Sequence, residues 1–224
     1  MADEFDLYAT RVNALEHPRL LVVEGLDDLQ VVHGIRRVAS DVPEFAIYDA
    51  GGIDELLKMI RQLLSSSGRE TLGLVADGNS NLKARWQQLM TELQRSGVVA
   101  PGVPDSMGTI IDRTSFLPRV GVWLMPDNHA NGELEDFIAR LVPQSDPLWP
   151  RAKDYIRGIP SGERKFKRSK ALRAHVHAWL AVRQRPRPLD RAIEAGDLDI
   201  DAPLCQAFVE WLQRLFGDDE AKAS

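Results

Sequence analysis

Leu20-Leu21-Val22-Val23-Glu24-Gly25-Leu26-Asp27-Asp28 decides how the rest of the chain is read. Four apolar residues run into a carboxylate and a glycine. The run is short and carries two β-branched residues, as a strand covered on both faces does. Gly25 permits a sharp exit. Asp27 or Asp28 then caps a helix with Leu29, Val32 and Ile35 along one side. Glu24 therefore stands at the carboxyl end of a central strand, and Asp28 lies in the first turn of the next helix. Ligands of open α/β sheets bind at that edge. An ordinary strand–helix junction also carries acids at its helix start, so the stretch gains meaning only if it repeats.

It does repeat. Phe45 to Tyr48 is a second strand, closed by Gly51-Gly52, and Ile53 to Leu64 is an amphipathic helix. Leu72 to Asp77 is a third strand that again ends on a carboxylate, and Asn81 to Ser96 is a helix with Trp86, Leu89, Met90 and Leu93 inside. Val120 to Met125 is the fourth strand, followed by Pro126-Asp127-Asn128 and the acidic helix start Glu133-Leu134-Glu135-Asp136. Thr109-Ile110-Ile111 is a candidate edge strand within a Pro- and Gly-rich stretch. Beyond Asp146 the patterns are helical: Leu148 to Ile156, Ser169 to Val182, Leu189 to Ala195 and Pro203 to Phe216. Met1 to His17 reads as a polar lead-in and Asp218 to Ser224 as a fraying tail. Alternating strands and helices imply right-handed crossovers. The expected fold is α/β, with a mainly parallel four-stranded sheet flanked by helices over residues 1–145. A helical C-terminal part over 146–224 packs on that core.

The 224 residues, 44% hydrophobic and 27% charged, suffice for one substantial core. A single cysteine, Cys205, excludes an intrachain disulfide and sits in an apolar helical pattern. Met1 to Asp6 is acidic rather than basic, and no apolar run is long enough for a bilayer, so a soluble cytoplasmic protein is expected. The net charge of −5 conceals a segregation. Arg151 to Arg191 holds 13 Lys+Arg against 3 Asp+Glu, or +10, which leaves −15 for the remainder. The run Arg164-Lys165-Phe166-Lys167-Arg168-Ser169-Lys170 is its densest part. It is either a solvated face or a contact for a phosphate backbone.

Glu24 with Asp28, Asp77 with Asn79, and Glu133, Glu135 and Asp136 converge if their strands are neighbours in a parallel sheet. Crowded carboxylates repel and need a counter-charge. All-oxygen ligands suit Mg²⁺ or Mn²⁺, and such an ion serves phosphoryl chemistry. Asp49 ends the second strand at the same edge. Gly51-Gly52 could cradle a phosphate but also suits a plain strand-to-helix turn. His175 and His177 are two apart on a helix, point in different directions and read as ordinary helix residues.

These motifs resemble the Glu and Asp-x-Asp signature of the TOPRIM fold, found in topoisomerases, bacterial primases and overcoming-lysogenization-defect (OLD) nucleases. From Leu20 to Phe216 the chain is similar to small stand-alone OLD-like TOPRIM proteins of bacteria. The supporting stretches are Val23 to Asp28, Leu74 to Asp77 with Arg85-Trp86, Leu124 to Asn128 with Gly132 to Asp136, and Ser169-Lys170-Ala171. The resemblance implies a Mg²⁺- or Mn²⁺-dependent nuclease or phosphoryl-transfer protein that acts on nucleic acid. It implies a separately encoded ATPase partner, in phage defence or DNA repair. Glu24 would be a metal ligand or general base. Asp28, Asp77, Asn79 and Glu135 would be metal ligands, with Asp136 as neighbour or substitute. Lys170 would lie near the scissile phosphate, and Arg164, Lys165, Lys167 and Arg168 would hold the backbone. Asn79 replaces the second acid of the signature and supplies one negative charge fewer. The competing expectation is a non-catalytic TOPRIM-like module that binds a protein or nucleotide.

Overall fold

Thr71–Asp77 and Arg119–Met125 form the two central strands, and Asp77 alone among their residues is not fully buried. Such strands need cover on both faces, and in the computed structural model, which describes residues 14–183 and 185–218, helices supply it. In chain order the elements are β1 (Arg19–Val23), α1 (Leu26–Val38), β2 (Ala46–Asp49), α2 (Ile53–Leu64), β3 (Thr71–Asp77), α3 (Leu82–Arg95), β4 (Thr109–Ile111) and β5 (Arg119–Met125). They continue with α4 (Leu134–Leu141), α5 (Leu148–Gly158), a 3₁₀ turn over Arg168–Lys170, α6 (Ala171–Ala181), α7 (Leu189–Glu194) and α8 (Pro203–Phe216). Residues 1–13 of the expected lead-in and 219–224 of the expected tail lie outside the described residues.

The sheet has five strands in the order β2-β1-β3-β5-β4. The four expected strands are parallel. The expected count of four is corrected by Thr109–Ile111, which pairs antiparallel along Val120–Val122 as an edge strand. Three residues are too few to give a periodic signal of their own. Leu20, Val22, Leu72, Leu74, Val120 and Val122 point to the face under α2 and α3. Leu21, Val23, Val75, Trp123 and Met125 point to the face that meets α1 and all the helices from α4 onward. The helices after residue 146 thus share a core with the sheet.

One contact fixes that second face. Gly73 and Gly121 are directly opposite in the β3–β5 register. A Cβ at Gly121 would lie 2.4 Å from Leu215 Cδ2, and one at Gly73 would lie 2.5 Å from Leu21 Cδ1 and 3.0 Å from Leu215 Cδ2. The paired glycines form a notch that the Leu215 side chain of α8 enters. Around it, Phe216 stacks on Phe45 at 4.1 Å between centroids, and Trp123 contacts Phe208 and Trp211 at 5.1 and 5.6 Å. Trp211 Nε1 donates to the Thr109 carbonyl at 3.3 Å, which ties α8 to the edge strand.

Two local expectations change. Gly25, not Asp27 or Asp28, is the N-cap of α1, and Asp28 at the third position reaches back to the Gly25 N–H at 3.1 Å. The helix expected from Ser169 to Val182 runs from Ala171 to Ala181: Ser169 sits exposed in the 3₁₀ turn, and Val176, Trp179 and Leu180 of α6 are buried.

Gly121→Ala is expected to lower the unfolding free energy by about 1–3 kcal/mol through overpacking, and Leu215→Ala by about 2–5 kcal/mol through a cavity. Because the shortened side chain makes room for the new methyl, the double variant should be less destabilised than the sum. Denaturant unfolding of the three variants checks this, and simple additivity would show that Leu215 does not occupy the notch.

Candidate functional site

The carboxyl ends of β1, β2 and β3 and the starts of α1 and α4 meet at one cavity of about 480 Å³. Glu24, Asp27, Asp28, Asp49, Asp77, Glu133 and Glu135 line it, together with Lys170 and Arg173. Glu24, Asp28, Asp77 and Glu135 are thus brought together as their positions in the sequence suggest, and Lys170 lines the same cavity. Parallel pairing of β1 with β3 puts Glu24 beside Asp77, and the short β5–α4 connection delivers Glu135.

The backbone holds three of these carboxylates in place. Glu24 Oε2 accepts from the Asp77 N–H at 3.0 Å, Asp77 Oδ1 from the Leu134 N–H at 2.8 Å, and Asp28 Oδ2 from the Gly25 N–H at 3.1 Å. Each group thereby keeps a second oxygen. That of Asp28 is buried without any hydrogen-bond partner. A buried acceptor left unsatisfied is costly, and Asp28 as a residue is only 6% exposed.

The electrostatics show the crowding. Burial, then the charges of Asp77 and Glu24, push the Asp28 carboxyl well above its ordinary range. Burial and Glu24 raise Asp77 to about 7. Burial also raises Glu135, against the pull of Arg173. Lys170 Nζ lies 2.7 and 2.6 Å from the two Glu133 oxygens. Burial would lower that lysine, but its hydrogen bond to Glu133 and the charge there outweigh burial and raise it.

Two expected ligands are used elsewhere. Asn79 has a left-handed backbone, φ 50°, and its N–H donates to the Gly132 carbonyl at 2.6 Å. With its amide oriented to suit its neighbours, Nδ2 donates to Glu133 Oε1 and Oδ1 accepts from Arg85, both at 3.0 Å. Asp136 Oδ2 accepts from the Glu133 N–H at 2.8 Å and so caps its own helix. Neither residue lines the cavity. In the basic run, Arg164 donates to the carbonyls of Ile159 and Arg157 at 2.8 and 3.1 Å and closes the end of α5. Lys165, Lys167 and Arg168 are exposed and lead directly into Lys170.

Arg173 and Asp27 were not marked as site residues by the sequence. Arg173 Nη2 is 2.5 Å from Asp27 Oδ2, and its Nε is 3.6 Å from Glu135 Oε1. The available signal was its spacing, three residues after Lys170 on one helical face. Glu133 was visible only as one acid of a cluster. His177 Nε2 lies 4.0 Å from Asp27 Oδ2.

The carboxylates are not closed around a single point. Among the described residues the trio with ligand atoms within 4.8 Å of one another is His33, Asp190 and Glu194, between α1 and α7. Arg37 lies 2.9 Å and Arg191 2.8 Å from Glu194. Two cations already balance that trio, so it fits an ion-paired helix contact better than a metal centre. The strand-end cavity has the opposite balance, with seven lining carboxylates against two cations.

A carboxyl whose folded pKa is raised binds its proton more tightly in the native chain than in the unfolded one. Its contribution is full below the ordinary value of 3.8 and is lost as pH rises through about 7. Without added metal, the unfolding free energy of the wild type should therefore fall between about pH 4 and pH 7 relative to Asp77→Asn. Urea denaturation across that range checks it, and parallel curves would show that Asp77 titrates as an ordinary carboxyl.

No helix among the described residues is long and apolar enough to cross a membrane. No curated protein matches the chain, and neither does any solved structure. The family model that does match covers residues 18–217, everything from β1 to the end of α8. The chain belongs to the DUF3226 family, described as proteins of unknown function.

Proposed function

We propose that the cavity binds a divalent cation, Mg²⁺ or Mn²⁺, and that the protein is a TOPRIM-like nuclease or related phosphoryl-transfer enzyme acting on nucleic acid. The observation that carries the reading is the orphaned Asp28 oxygen, buried among like charges. An all-carboxylate donor set suits these hard ions. Glu24, Asp28, Asp77 and Glu135 would hold the ion, which when bound polarises a phosphoryl oxygen and neutralises charge in the transition state.

The chain's own groups supply the rest. The backbone N–H donors to Glu24, Asp28 and Asp77 fix those carboxylates, so little reorganisation is needed. Glu24, partly exposed at the strand end, would serve as general base where it does not ligate the ion. Lys170 would offset charge on the phosphate, and Lys165, Lys167 and Arg168 would hold the backbone without reading sequence. The site would act on the strand that a separate ATPase delivers, the arrangement the OLD-type resemblance suggests. The wide spacing of the carboxylates and the diversion of Asn79 favour a second reading, a non-catalytic module that binds a nucleotide or protein through the same cavity.

Millimolar Mg²⁺ or Mn²⁺ should raise the melting temperature of the wild type by preferential binding to the native state. Glu24→Gln and Asp77→Asn should abolish that rise. Both should also melt higher than wild type in chelator, since each removes a crowded charge. Thermal scans with and without metal test the pair of effects, and a wild type indifferent to both ions would sink the cation site.

Replacing Lys165, Lys167 and Arg168 together should weaken oligonucleotide binding and flatten its dependence on salt by about three counterions' worth of slope. Lys170→Ala should leave the salt slope within about one counterion of wild type but lower cleavage by about 10²-fold or more. Salt-titrated binding and a nuclease assay separate the two. A Lys170→Ala protein that binds and cleaves like wild type removes the lysine from the reaction, and binding without cleavage by wild type selects the module.

A further inference from the structure

Arg173 occupies an unusual place for a cation. It lies in the first turn of α6, where the helix dipole disfavours positive charge, and that turn holds no acid. Its guanidinium instead bridges two carboxylates from different elements, Asp27 of α1 at 2.5 Å and Glu135 of α4 at 3.6 Å. It lines the same cavity as Lys170. Its side chain is 52% exposed, so the bridge can open without disturbing the core. Glu135, by contrast, is buried.

A divalent cation and Arg173 compete for the same carboxylate. The ion offers two charges where Arg173 offers one, shared with Asp27. Once the ion takes Glu135, the guanidinium loses one of its anchors and remains tethered at the cavity mouth by the fixed start of α6. A planar fork of N–H donors beside a bound cation suits two oxygens of a phosphodiester.

We propose that Arg173 is a phosphate-binding residue held in reserve: Asp27 and Glu135 occupy it at rest, and cation binding at Glu135 releases it to the nucleic-acid backbone. The inference rests on the cation reading of the cavity and adds a coupling to it. Metal and phosphodiester then bind cooperatively, because each favours the freed state of one side chain. Asp27 is the restraint, and it is not a metal ligand in this scheme.

Binding of a fluorescein-labelled oligothymidylate, followed by anisotropy with and without Mn²⁺, measures the coupling, and the signal of free Mn²⁺ in electron paramagnetic resonance measures the ion alone. In wild type, Mn²⁺ should tighten oligonucleotide binding by about tenfold. In Arg173→Ala that gain should shrink to about twofold or less, while Mn²⁺ alone binds about two- to fivefold more tightly because its competitor is gone. Asp27→Asn should act in the opposite sense and strengthen oligonucleotide binding in the absence of metal. Lys165→Ala should weaken binding in both conditions and keep the coupling. Arg173→Ala with the full wild-type gain, or with weakened Mn²⁺ binding, overturns the role of Arg173 alone. Wild type that takes up no Mn²⁺ overturns the cation site and this inference together.

Discussion

Mutual repulsion among carboxylates at the ends of parallel strands is the constraint to which the rest of the molecule answers. Three strand ends and two helix starts deliver seven acidic groups to one cavity. In water such groups would separate. Here the sheet register forbids it, since Glu24 and Asp77 close neighbouring strands and share a hydrogen bond. The fold lowers the cost in two ways. Backbone N–H groups take one oxygen of Glu24, Asp28 and Asp77, and the 3₁₀ turn with the first turn of α6 brings Lys170 and Arg173 against Glu133, Asp27 and Glu135. What neither device satisfies is the buried Asp28 oxygen. A group that raises the energy of the folded chain, with no structural partner, is where a ligand gains most by binding.

The placement of α6 depends in turn on packing far from the acids. Leu215 seats α8 in the glycine notch of β3 and β5, and Phe208 and Trp211 of that helix complete an aromatic layer on Trp123. Val176 and Trp179 of α6 belong to the same core cluster as these side chains. The apolar face thus fixes the orientation of α6, and its first turn has to lie over the cavity. Charge alone could not set that geometry. Exposed ion pairs such as Arg173–Asp27 contribute little by themselves, about 0–1 kcal/mol, whereas the buried aromatic layer is worth several times that.

What the sequence discloses follows from how local the signal is. The strands from Leu20 and Leu72, and Glu24 and Asp77 at their ends, are marked by apolar runs that stop on an acid, so both the parallel sheet and the meeting of those acids could be read. Lys170 could be read only through a family resemblance. The fifth strand was weak because three residues carry no period. The Gly73–Gly121 notch needs the strand pairing to be known before its meaning exists. Asn79 and Asp136 had the right residue types at the right spacing. Their directions, however, are set by a left-handed turn locked to Gly132 and by a helix cap, neither of which spacing reveals. Arg173 was hidden for a similar reason: its partner Asp27 is 146 residues away.

That separation gives the charge segregation of the chain a physical meaning. The acids of the cavity come from the first 145 residues, and its cations come from the stretch between Arg151 and Arg191 that carries the excess of +10. At the cavity the basic stretch meets acids of the oppositely charged remainder. There Asp27 pairs with Arg173 and Glu133 with Lys170, so each half masks part of the other. A cation that entered on the acidic side would remove the need for that masking. The exposed Lys165, Lys167 and Arg168, next in sequence to Lys170, would then stand beside unpaired positive charge rather than beside carboxylates. Under the proposed function, a surface that repels nucleic acid while the acids are bare would attract it once they are neutralised, since local fields rather than net charge steer an anionic ligand. An acidic protein can in this way hold a polyanion, provided that its acids are gathered where an ion can cover them.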